Sequence, residues 1–117
     1  MFNTIARSGH EIRLDDTEGK EQITIADKSG KNTIVIDTAN NTLTITTEKD
    51  LQIKAKGNIS LDAPQGDVTI ACNNFKVDAN QNCDLTTKVQ GSFKAQATLA
   101  LTGTGGVNVN DGALEVI

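Results

Sequence analysis

From Leu51 onward the chain repeats itself every eight residues, and that period constrains its fold more than any motif does. Every eighth position from Ile53 reads Ile53, Leu61, Thr69, Val77, Leu85, Phe93, Leu101, Val109 and Ile117, apolar at all but Thr69. There the Gln65-Gly66 turn displaces the apolar pair to Val68 and Ile70, after which the register recovers. Leu51, Ile59, Phe75, Cys83, Leu99 and Val107 each sit two residues ahead of a member of the series. Two residues behind it small side chains prevail: Ala55, Ala63, Ala71, Ala79, Thr87, Ala95 and Gly103. Alternation of this kind predicts half-buried strands, and no helical spacing is sustained anywhere.

One octad cannot hold its own shape, because burying two or three side chains recovers less free energy than ordering eight residues costs. It needs hydrogen-bonded layers above and below. A single-chain solenoid would stack three octads into a coil of about 24 residues, leaving residues 51–117 as a short stub with two raw edges. Three chains wound about one axis would instead give about eight layers, a rod of roughly 38 Å at ~4.8 Å per layer. The expectation is therefore an intertwined trimeric β-helix, a triangular prism. Its predicted core is Leu51, Ile53, Ile59, Leu61, Val68, Ile70, Phe75, Val77, Cys83, Leu85, Phe93, Leu99, Leu101, Val107 and Val109.

Residues 1–48 read differently. The alternating pairs Ile12/Leu14, Ile23/Ile25, Ile34/Ile36 and Leu43/Ile45 recur every nine to eleven residues, with Gly19, Gly30 and Asn40-Asn41 between them. That spacing predicts meandering strands joined by hairpins. The fold class expected overall is all-β, with an N-terminal meander over 1–48 leading into an octad-repeat needle and tip over 49–117.

Composition narrows the function. Aromatic residues are only 3% of the chain and Trp and Tyr are absent, so a compact enzyme core is not expected. Charges of both signs are interleaved around a net −4, with no basic cluster, which argues against nucleic acid as a partner. No secretory signal is recognisable and no apolar run approaches ~18 residues. Two cysteines, Cys72 and Cys83, are too few for a disulfide framework, in keeping with synthesis in the cytoplasm.

The run Arg7-Ser8-Gly9-His10-Glu11-Ile12-Arg13-Leu14-Asp15-Asp16, then Glu18-Gly19-Lys20-Glu21-Gln22-Ile23, resembles the spike proteins of contractile injection systems. These include the VgrG proteins of type VI secretion, phage baseplate spikes and the spikes of extracellular tailocin-like particles. Thr42-Leu43-Thr44-Ile45-Thr46, running into the Lys54/Gly57/Ile59/Leu61/Ala63 octads, is similar to their β-helical C-terminal region. The resemblance implies a homotrimeric, membrane-puncturing needle with no enzymatic activity and no cofactor. It also implies an upstream OB-fold and baseplate hub, making this chain a fragment of a longer spike. Such a needle is made in the bacterial cytoplasm, assembled in a contractile particle and driven through a target cell envelope. In many members the distal end docks a PAAR-type cap or an effector; by position that role would fall to Gly112, Ala113, Leu114, Val116 and Ile117.

Individual residues offer little chemistry beside this. His10, the only histidine, lies near the start of the first strand read from the pattern, the one carrying Ile12 and Leu14, where a surface or interchain packing role is expected. The metal that some related spikes hold through closely spaced histidines has no counterpart ligands here. Cys83 falls at an inward octad position and reads as packing. Asp15 and Asp16 open a charged, turn-rich stretch to Glu21, read as a solvated loop. Gly103, Gly105 and Gly106 read as turn positions, and Gly91 as leaving room for the Phe93 ring. Residues 95–110 carry no charge, as expected of a β end awaiting cover. The competing class is a self-contained β-solenoid binding ice or polysaccharide. It would require a repeated Thr-x-Thr face, and Thr42/Thr44/Thr46 supplies one row that the octads do not repeat.

Overall fold

The computed structural model describes residues 1–109, and the tip residues Gly112 to Ile117 lie outside that range. It is all-β, with no helix among the described residues. Five strands follow one another: β1 (Phe2–Ile5), β2 (Glu11–Asp15), β3 (Gln22–Ala26), β4 (Thr33–Asp37) and β5 (Thr42–Thr46). They form one antiparallel sheet in sequence order, a plain meander. The four alternating pairs read from the sequence occupy β2 to β5. β1 had no place in that reading, because Phe2–Ile5 carries no apolar pair two residues apart. His10 accordingly precedes the second strand, not the first.

Register sorts the side chains cleanly. Phe2 pairs with Leu14, Leu14 with Ile23, Ile23 with Ile36 and Ile36 with Leu43. One row over, Thr4, Ile12, Ile25, Ile34 and Ile45 are joined in the same way. Directly opposed residues share a face, so both rows stand on one side of the sheet. The other side carries Arg13, Thr24, Val35 and Thr44 in one row and Glu11, Ala26, Thr33 and Thr46 in the next. The Arg13 guanidinium is ion-paired with Glu11 on that side.

Each of the last three hairpins is closed by an aspartate at or just beyond its first strand. The Asp15 carboxylate accepts from the Thr17 amide (3.0 Å) and hydroxyl (2.7 Å). Asp27 accepts from the Ser29 hydroxyl (2.7 Å) and the Asn32 side-chain amide (2.8 Å). Asp37 accepts from the Asn40 side chain (2.9 Å). Short polar side chains that bond the backbone and side chains just downstream stabilise turns in this way. Asn41 adopts φ 53°, a left-handed conformation that asparagine tolerates. Gly9 sits at φ 104°, where a side chain would be strained and would also press on Lys28 Cβ at 3.3 Å.

Beyond Thr46 the regular ladder stops. The chain divides into two units, Met1–Val68 and Thr69–Ile117. Over the described octads, 51–109, no strand pairing occurs, and two backbone hydrogen bonds close local turns: Gly66 amide to Ala63 carbonyl (3.3 Å) and Gly106 amide to Gly103 carbonyl (3.0 Å). The period nevertheless persists in the backbone. Gly57, Gln65, Asn73, Gln81, Val89, Ala97 and Gly105 each lie in a bend or turn, every one eight residues from the next. The glycine-rich turn read at 103–106 is among them. A Cβ on Gly103 would collide with the Gly106 carbonyl oxygen, so the tightness of this turn depends on glycine.

Candidate assembly surface

No hydrophobic side chain among the described residues is buried. The uncovered surface is concentrated in two places.

The first is the apolar face of the sheet. In β2, β3 and β4 the apolar residues Ile12, Leu14, Ile23, Ile25, Ile34 and Ile36 are the exposed ones, while their neighbours on the opposite face are half-buried. This inverts the usual arrangement, in which an antiparallel sheet turns its apolar side inward and its polar side to water. The isoleucine row Ile12, Ile25, Ile34 and Ile45 floors a groove of about 600 Å³, which Leu51, the first octad residue, also lines.

The groove opens at the end of the sheet where the chain leaves β5, and the loops there are tied together. The Lys28 amide donates to His10 Nδ1 (3.1 Å), binding the β1–β2 loop to the β3–β4 loop. The Glu48 amide donates to Asn32 Oδ1 (2.8 Å), and Lys31 Nζ lies 3.5 Å from the Glu48 carboxylate. Asn32 in turn holds Asp27. Hydrogen bonds from the Asn32 and Ser29 side chains favour the charged form and lower the Asp27 carboxyl to about 2. Thr17 lowers Asp15 and Asn40 lowers Asp37 by the same mechanism. His10 therefore serves as an acceptor that locks loop to loop. Its partner is a main-chain amide from a different hairpin, for which a one-dimensional reading offers no signal.

The second place is the octad stripe. Every predicted core residue from Leu51 to Val109 is exposed within one chain: Leu85 at 86%, Leu61 at 77%, Phe93 at 76%. The structure brings none of them into a buried cluster with another. Cys72 and Cys83 are both exposed free thiols. The side chain nearest Gly91 is that of Thr87, 3.3 Å from where a Cβ would stand, so within the chain this glycine makes room for Thr87 and not for Phe93. Among the described residues no three His, Cys, Asp or Glu side chains gather as metal ligands, and no helix is long and apolar enough to cross a membrane.

What this arrangement can do is associate. It presents apolar side chains at a regular spacing, carries few charges on those faces, and leaves free backbone donors and acceptors along its second half. In comparisons with known proteins, no family model, no curated protein and no solved structure matches the chain.

Proposed function

We propose that this chain is the needle portion of a membrane-puncturing spike in a contractile injection apparatus, working as a homotrimer whose octads wind into a β-helical prism. The observation that carries the proposal is the octad segment itself. It bends every eight residues, aligns an apolar side chain in nearly every repeat, and satisfies almost none of its backbone groups within the chain. Buried backbone donors and acceptors are nearly always paired, so covering the apolar stripe requires strands to supply those bonds. A self-contained solenoid would draw them from its own next coil, about 24 residues on. Here residues 51–109 form no such ladder.

The resemblance of residues 7–23 and 42–63 to injection-system spikes supplies the role. The work is mechanical. Continuous interchain ladders would make the rod stiff along its axis, and threefold burial would remove its raw edges. The stitched loops around His10, Lys28, Asn32 and Glu48 stand where the sheet would hand over to the needle, the point at which thrust would pass from one to the other. The distal end would carry a PAAR-type cap or effector, and the target envelope would be met transiently.

Light scattering tests the reading. A folded species of about 37 kDa, three times the 12.4 kDa chain, is expected at micromolar concentration. A folded monomer would refute the needle and return the chain to the class of self-contained binding modules.

A further inference from the structure

We propose that the five-stranded sheet is the register-setting device of the assembly: it folds within its own chain, docks its apolar face on the same face of two other copies, and so decides which octads meet. The inference rests on the trimeric reading above.

Octads are poor at choosing their own register. Sliding one chain by eight residues sets Leu61 where Ile53 stood, Val77 opposite Leu85, and bend against bend. Apolar side chains meet apolar ones again, and the backbone repeats its bends. Such a slip loses little beyond one layer at each end, so several registers lie close in free energy. The Pro64-Gln65-Gly66 turn with Asp67 after it, Gly91, and the bulk of Phe75 and Phe93 interrupt the degeneracy at a few layers.

The sheet has no such ambiguity. Its strands are joined by hairpins whose loops hold their own hydrogen bonds, and each strand pairs with its sequence neighbour. Contacts this local form early, and their pairing partners all lie within one chain. The result is a unique surface, an isoleucine row with Leu14, Ile23, Ile36 and Leu43 alongside, and it cannot be shifted by eight residues onto itself.

The occupant of that face is another copy of the chain. The paired rows of the face bear no charged side chain, and the carboxylates at the end of the groove already have partners within the chain, Glu11 with Arg13 and Asp27 with Asn32, so the face itself favours an apolar occupant such as its own copy. Through Leu51 it is continuous with the octad stripe, so a copy paired along the stripe is held at the sheet as well.

The test uses the full chain labelled with fluorophenylalanine. A symmetric trimer in one register shows one fluorine resonance for each of its three phenylalanines, Phe2, Phe75 and Phe93. Two variants are compared by fluorine resonance and light scattering: I25D/I34D, which charges the apolar face, and T24D, which charges the other. Expected are a trimeric wild type and a trimeric T24D, each with three resonances. I25D/I34D is expected either to lose the trimer or to keep the mass while showing extra resonances for Phe75 and Phe93. A trimeric I25D/I34D with three resonances would overturn register-setting while leaving the needle intact. Equal damage from T24D would overturn the assignment to this face. A monomeric wild type would overturn the needle and this inference together, and the face would then belong to a different occupant.

Discussion

Residues 2–46 and residues 51–109 carry nearly the same pattern, an apolar side chain at every second position broken by turns, yet only the first forms strands within the chain. The difference lies in the connections. In the first stretch, Gly9, Gly19, Gly30 and Asn41 take left-handed conformations that reverse the chain sharply, so each strand returns beside its predecessor. In the second, the bends at Gly57, Gln65, Asn73 and their successors are not left-handed; among the described residues beyond Asn41 the one positive φ is that of Gly106. A gentle bend every eight residues redirects the chain without folding it back, and its hydrogen bonds then have to come from elsewhere. The sheet solves its backbone problem alone and leaves its side chains uncovered; the octads solve neither alone.

Several perturbations would break or sharpen that contrast. Leu85→Asp has the largest expected effect. If the octads assemble, the change buries an unpaired charge in each of three chains, and assembly should be lost at a cost above about 4 kcal/mol. In a chain that works alone, a site 86% exposed should shift the melting temperature hardly at all, so a thermal melt read beside light scattering separates the two.

Next comes Gly103→Ala. The added carbon meets the Gly106 carbonyl, so this turn must open, and a loss of about 1–3 kcal/mol is expected from strain in the backbone. Gly91→Ala is the matched control. Its new carbon meets only the movable Thr87 side chain, and chemical denaturation should show a smaller loss.

Acid acts on the sheet instead. Asp27 is lowered from 3.8 to about 2 by Asn32 and Ser29, so its carboxylate is bound more favourably in the folded chain than in the unfolded one. That contribution is complete above the unfolded value and disappears as the pH falls from about 4 through about 2. Asp27→Asn should flatten the decline across this window, read as the denaturation midpoint of the sheet at successive pH values. A variant with the wild-type slope would show that the loop does not report on folding.

The smallest effect is expected at Asn41→Gly. Glycine adopts the left-handed conformation freely, so the hairpin should hold within a few tenths of a kcal/mol. Asn41→Val, which resists it, should cost about 1 kcal/mol or more. Equal stability of the two would mean that β4–β5 is not held by its turn.

The strands β2 to β5 were legible because Ile/Leu/Val alternation and Gly or Asn turns are local signals, each contained in a few neighbouring residues. β1 was not, since Phe2–Ile5 becomes a strand by pairing with Glu11–Leu14 and has little pattern of its own. The octad stripe could be named residue by residue, and its period reappears in the bends. The turn-closing role of Asp15, Asp27 and Asp37 was not legible, because each looks like any solvated acid, as Asp15 did, until its partner in the adjoining turn is seen.

The sequence by itself determined the periods: two along each strand, eight along the second half, and the places where the chain reverses. These follow from backbone sterics and from side-chain polarity within a few residues of each other. Only the tertiary structure decided that the isoleucine face would be the exposed one and that His10, Lys28, Asn32 and Glu48 would meet at the end of the sheet where the chain leaves β5. Coverage of a face and contact between loops depend on segments distant along the chain, whose approach is set by hydrogen-bond register across the sheet and not by any single stretch of residues.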